Sequence, residues 1–262
     1  MKGERRRLDR IGWLVFGVTF SVLAGITSLR FLLVPPATDD DMCLVDEPLV
    51  AHTVILVDRT DALSGPGEAE RFRAVVNAER NRLKTFERVS IYLITETTGA
   101  SPILRFSRCN PLRGDQVDPL YRNPRLIQRQ YDESFSQPLD RVVSELMEPG
   151  VAPRSPIIES IGAITRTGEF SSAVPARRLV IVSDLIEHTQ GFSHYKRCEG
   201  YESIYSTAPY SDLRVDLAGA TVAVFQIARS NVDCAQGSRH SAFWMDFFAR
   251  SGAVVTAPFE QF

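Results

Sequence analysis

The chain has 262 residues, of which 44% are hydrophobic and 24% charged, with a formal net charge of −2. That balance excludes a mostly disordered chain and a fibre. It also argues against a general nucleic-acid binder, which carries a net basic face.

The charge is unevenly placed. Lys2, Arg5, Arg6, Arg7, Arg10 and Arg30 face only Glu4 and Asp9 within the first 34 residues, a net of +4, which leaves −6 over the rest. Ile11 to Leu29 reads IGWLVFGVTFSVLAGITSL without a charge, and Phe31 to Val34 extends it to Pro35-Pro36. About 20 apolar residues in a helix cross a bilayer core. The expectation is a basic segment 1–10, a transmembrane helix 11–34, a linker 35–49 and a folded domain 50–262. The rival is a leader cleaved near Val22-Leu23-Ala24, although the apolar run continues beyond that point. Basic residues before the span and Asp39, Asp40 and Asp41 after it predict a cytoplasmic N-terminus. In a bacterium this makes an inner-membrane, single-pass protein with a periplasmic or extracellular domain.

Within the domain, Thr53–Val57 (TVILV) reads as a strand buried on both faces. Residues 68–86 carry Phe72, Val75, Val76, Leu83 and Phe86 at helical spacing. Val89–Ile94 predicts a second strand, and Ile103–Phe106 a hairpin partner for it. Residues 109–133, with Pro111, Pro119 and Pro124, read as a long polar loop. Phe135, Leu139, Val142, Val143, Leu146 and Met147 mark an amphipathic helix. Ile157, Ile158, Ile161 and Ile164 mark another, opened by Ser155 and Pro156 as cap and first-turn residues. Leu179–Ser183 (LVIVS) and Thr221–Ile227 (TVAVFQI) are further buried strands, and Ala253–Thr256 a last one. Phe243, Trp244, Phe247 and Phe248 share a face of the final helix. Such alternation predicts a three-layer α/β/α sandwich of Rossmann type, its central sheet mostly parallel. Ligands of these sheets bind beyond the carboxyl ends of the strands.

Asp58 and Thr60 leave the first strand there, with Asp61 and Ser64 close behind. Ser155 precedes a helix and Asp184 ends the strand LVIVS. Oxygen ligands alone suit Mg²⁺ or Mn²⁺. On these residues the chain resembles the von Willebrand factor A (vWA) family over roughly residues 50–258. The family's first-strand motif is DxSxS, followed by a Thr before a later helix and an Asp after the fourth strand. Asp58 and Thr60 match the first two motif positions, Ser155 stands for the Thr and Asp184 for the Asp. Ala62, at the third position, offers no oxygen, so Ser64 or Asp61 would have to replace it. The resemblance implies a divalent cation, Mg²⁺ or Mn²⁺, and a protein partner whose acidic side chain completes its shell. The function it implies is interaction or scaffolding at the envelope.

A rival enzymatic reading is a metal-dependent hydrolase of the haloacid-dehalogenase phosphatase type with Asp58 as nucleophile. That motif needs a second Asp where Thr60 stands. No GxSxG, Walker, HExxH or GxGxxG signature is present. His52 and His240 read as surface or supporting residues. Residues 188–212 form a long connection with Phe192, Tyr195, Tyr201 and Tyr205, either a partner-binding surface or a loop packed on its own domain. Cys43, Cys109, Cys198 and Cys234 lack CxxC spacing, and three pairings are open. An antiparallel third strand in this fold would bring Cys109 to Cys43, while Cys198 and Cys234 follow neighbouring strands at the opposite edge and are expected to pair.

Overall fold

The computed structural model describes residues 2–32, 36–59, 67–94, 96, 101–148, 153–197, 199–206, 210–211, 213, 215–229, 236–256 and 259–261. A single helix, α1 (Lys2–Leu32), opens the chain. Its described side chains run from 12 to 28 and are exposed, Trp13, Phe16 and Phe20 among them. Among the described residues no helix is long and apolar enough to cross a membrane.

The remaining elements are β1 (Ala51–Val57), α2 (Glu68–Arg82), β2 (Arg88–Leu93), β3 (Ile103–Cys109), α3 (Pro124–Tyr131), α4 (Gln137–Leu146) and α5 (Ile157–Thr165), followed by β4 (Ala176–Ser183), α6 (Tyr201–Tyr205), β5 (Thr221–Gln226), α7 (Ser238–Arg250), β6 (Val254–Val255) and β7 (Glu260–Gln261). The sheet runs β3-β2-β1-β4-β5-β6, with β7 also pairing β5. Every pairing is parallel except β2 with β3. This is the mixed α/β architecture that the alternating pattern predicts.

Strand alternation splits the core into two layers. Val54 and Leu56 of β1, with Leu179 and Ile181 of β4, face α5 and the aromatic stripe of α7. Ile55 and Val57, with Val180 and Val182, face α2 and the helical stretch that includes Phe135, Leu139 and Val143. Because β1 and β4 are covered on both sides, their sequences are continuous apolar runs.

Residues 109–133 depart from the expected loop. Asn123 caps α3 by accepting from Arg125 N and Leu126 N, and Pro124 occupies its first turn. The helix then passes through one π-helical turn, Asp132–Ser136, directly into α4. Pro124 therefore starts a helix here, a position where its missing N–H has no cost.

The expected bond between Cys43 and Cys109 is present. Cys109 N also donates to Asp41 O at 2.8 Å, so the linker is fastened to the edge of the sheet. Cys198 and Cys234 lie outside the described residues.

Candidate functional site at the strand ends

Asp58 follows β1 directly, its N–H donating to Val182 O at 2.9 Å and so extending the parallel ladder by one residue. The side chain is buried. Its Oδ2 accepts from Ser155 Oγ at 2.9 Å and from Ser183 Oγ at 2.8 Å. Three separate connections thus meet on one carboxylate oxygen. Ser155 is held in place by a two-way backbone bridge to His188, with N···O distances of 2.9 and 3.0 Å.

The hydroxyl of Ser155 consequently does not cap α5, contrary to the expectation. The cap residue of α5 is Pro156, with no side-chain bond of its own. Glu187 does the work from a distance, its Oε2 accepting from Ile158 N at 3.0 Å. Tyr210 donates to the other oxygen, Oε1, at 3.3 Å, and Thr189 Oγ1 lies 2.9 Å from the Tyr210 hydroxyl. Burial pushes the Glu187 carboxyl up to about 8, despite the bond from Ile158. The same burial, reinforced by Glu187, raises the Tyr210 phenol.

Asp184 is also buried and also beyond a strand, but it faces a cation of the chain itself. Its Oδ2 accepts from Arg229 Nε at 3.2 Å, and Arg229 Nη1 approaches Glu68 Oε1 at 3.8 Å. The other oxygen, Oδ1, accepts from Ile186 N at 2.9 Å, closing the turn in which Leu185 takes φ 62°. A non-glycine residue in the left-handed region is strained and must be held there. Leu185 O accepts from Trp244 Nε1 at 2.8 Å and faces His240 Nε2 at 2.7 Å, while Gln236 Nε2 donates to Asp184 O at 3.0 Å. The aromatic stripe of α7 therefore sets the position of Asp184.

Of the two places expected for His52 and His240, surface or supporting, both take the interior, supporting one. His52 bridges Glu169 O and Ser90 Oγ, each at 2.8 Å, and burial lowers it to about 4. His240 packs at 4.7 Å, ring to ring, against His194, which burial and the neighbouring His240 lower to about 3. His194 Nδ1 accepts from Glu187 N at 3.0 Å, so it is a structural acceptor beside the turn.

Of the five oxygen ligands expected, Asp58 and Ser155 are brought together, Asp184 is paired with Arg229, and Thr60 and Ser64 lie outside the described residues. The described residues therefore show only part of the set. A guanidinium already sits on the Asp184 carboxylate, so a cation bound through that residue would have to displace it. Among the described residues no three His, Cys, Asp or Glu side chains are grouped to hold a metal.

The aromatic connection divides. Phe192 stacks on Phe243 at 5.3 Å and Tyr201 packs edge-on to Phe243 and Phe247, so both are core residues and not a partner surface. Tyr195 and Tyr205 are about half exposed, at 50% and 48%. Tyr residues favour such division because one edge of the ring packs while the hydroxyl stays wet. Ser183, Glu187, Arg229 and Gln236 were not among the expected site residues. Glu187 carried a signal, an acid inside the apolar segment after β4, whereas Arg229 and Gln236 carried none.

No family model matches the chain, and no curated protein matches it. Among solved structures it is similar to the conserved hypothetical protein BatB from Bacteroides thetaiotaomicron, at 10% identity over 79% of this chain and 90% of that one, TM-score 0.38. It is also similar to a von Willebrand factor type A protein from Catenulispora acidiphila, at 10% identity and TM-score 0.38, over 78% of this chain but only 42% of that one. A third is an aerotolerance-related membrane protein from Bacteroides fragilis NCTC 9343 carrying multiple mutations to serines, at 12% identity, TM-score 0.31, and 79% and 92% coverage. Likenesses this distant assign no function, which must come from the site.

Proposed function

We propose that this chain is a membrane-anchored interaction or scaffolding module of the vWA type, whose contact surface is the carboxyl end of its sheet. The observation that carries this reading is the convergence of Ser155 and Ser183 on the Asp58 carboxylate. It ties three connections into one preorganised platform where α/β sheets bind their ligands. Tyr195, packed edge-on to the His188 ring that bridges to Ser155, supplies exposed aromatic area beside it. In this reading Arg229 takes the place of the family's cation, pairing with Asp184 and approaching Glu68.

The anchor in this reading is the uncharged sequence Ile11–Leu29, which extends past the described side chains of α1 at both ends. Trp13, Leu14, Phe16 and Phe20 are each more than 60% exposed, a strip that water penalises and lipid does not. Thr19 and Thr27 return their hydroxyls to the carbonyls of Val15 and Leu23 at 2.9 Å, which spares them an unpaired donor in hydrocarbon. The N-terminus would be cytoplasmic and the domain periplasmic.

A second reading keeps Mg²⁺ or Mn²⁺. The carboxylate and hydroxyl of Asp58 and Ser155 favour it, and it requires Arg229 to leave Asp184. The hydrolase reading is weaker, because Asp58 is buried and spends Oδ2 on two hydroxyls, an arrangement that orients loops and leaves a poor nucleophile.

Photo-crosslinking tests the proposal. A benzophenone amino acid is placed at 195 and, as a control at the opposite end of the sheet, at 47. The expected result is a discrete protein adduct in cells at 195, absent at 47 and reduced by Asp58→Asn. Adducts that ignore position, or phosphatase turnover lost in Asp58→Asn, would overturn it.

A further inference from the structure

Residues 119–131 carry a surface that the strand-end site does not use. They read PLYRNPRLIQRQY, with Arg122, Arg125 and Arg129 and no acid. Leu120 is 85% exposed, Tyr121 54% and Leu126 41%. Exposed Leu and Tyr interleaved with arginines are the composition of a segment lying in a membrane interface. The flanking acids are partly engaged: Asp118 accepts from Leu120 N and Asp132 from Gln128 Nε2, each at 2.9 Å, while Glu133 faces the adjoining groove.

The location points the same way. Arg122, Leu126 and Ile127 form one wall of a groove of about 780 Å³, and Pro36, Thr38 and Met42 form another. The Cys43–Cys109 bond fixes that second wall to the sheet edge. Pro36 lies four residues beyond Leu32, the end of α1. Four residues of chain span at most about 14 Å, so the groove stays within that reach of the apolar helix by any path. The headgroup region outside the hydrocarbon core is roughly 5–8 Å deep on each side.

We propose that residues 119–131 dock the domain onto anionic phospholipid beside its own anchor. Leu120, Tyr121 and Leu126 enter the interface, and Arg122, Arg125 and Arg129 meet headgroup phosphates. The surface holds the domain in one orientation, with the linker groove at the membrane. This inference rests on the anchored reading of α1.

The test is amide hydrogen exchange of the full chain in nanodiscs of phosphatidylcholine alone or mixed with phosphatidylglycerol. Amides of 119–127 are expected to exchange roughly tenfold or more slowly on the anionic discs, each arginine contributing about fivefold. The triple variant Arg122→Gln, Arg125→Gln, Arg129→Gln removes that difference, with unchanged exchange in β4 as the check on folding. Equal exchange on both lipids in an incorporated chain overturns the docking. So does protection that follows the number of copies per disc, which would assign the surface to a second copy. A chain that fails to incorporate overturns the anchor, and the same comparison on vesicles then decides docking separately.

Discussion

Glu187 links the strand-end turn to pH. Its carboxyl is raised to about 8 from 4.5, so the native state holds a proton that the unfolded state releases. The stability this gives is fully present below 4.5 and is lost as pH rises through about 8. His52 and His194 act in the opposite sense. They are lowered to about 4 and about 3 from 6.5, so their contribution is present above 6.5 and falls away as the pH drops towards those values. Stability should therefore peak near 6.5, and thermal melts from about pH 5 to about pH 8.5 should trace both arms. Glu187→Gln keeps the acceptor for Ile158 and should flatten the alkaline arm while steepening the acid one. Arg229 is the second residue whose removal is diagnostic. Arg229→Gln leaves the Asp184 carboxylate buried without its cation, which should cost about 3 kcal/mol. Millimolar Mg²⁺ should restore part of that loss in the variant while leaving the wild-type melting temperature unmoved. An equal shift in both proteins would mean that Arg229 does not stand in for a cation.

At the scale of elements, long-range contacts overrode several local signals. Ser155 before Pro156 has the form of a helix cap, yet its hydroxyl goes to Asp58, 97 residues away, and a buried Glu187 supplies the cap. Strands β1, β2, β4 and β5 were legible because burial on two faces writes a continuous apolar run. Helix α3 was not, since Pro119 and Pro124 suggest a loop until Asn123 and Pro124 are recognised as cap and first turn. The pairing of Cys43 with Cys109 was legible only through the fold, because it needs β3 antiparallel at the edge beside β2. That bond joins residues 66 apart, and in the chain-entropy model such a loop contributes about 4 kcal/mol. Reduction, or Cys43→Ser with Cys109→Ser, should lower the melting temperature by roughly 8–16 °C. An unchanged melt would mean that the linker is fastened by the Arg88 ion pair with Asp41 and the bond from Cys109 N, without help from the bridge.

Over the whole molecule, topology decides where chemistry can sit. With β1 and β4 adjacent at the centre of the sheet, the residues at their ends must meet, and Asp58 and Ser183 do. The location of the site was therefore readable from two apolar runs each ending in Asp. Its electrostatics were not. Arg229 lies after β5, in a stretch whose sequence gives no hint that it returns to Asp184, and its guanidinium occupies a carboxylate that the vWA resemblance gave to a cation. The most direct test is a calorimetric titration of Mg²⁺ and Mn²⁺ into the full chain, wild type beside Asp58→Ala. The account predicts no saturable heat from either protein. Saturable binding to the wild type that disappears in Asp58→Ala would contradict it and restore a metal at the centre of the site.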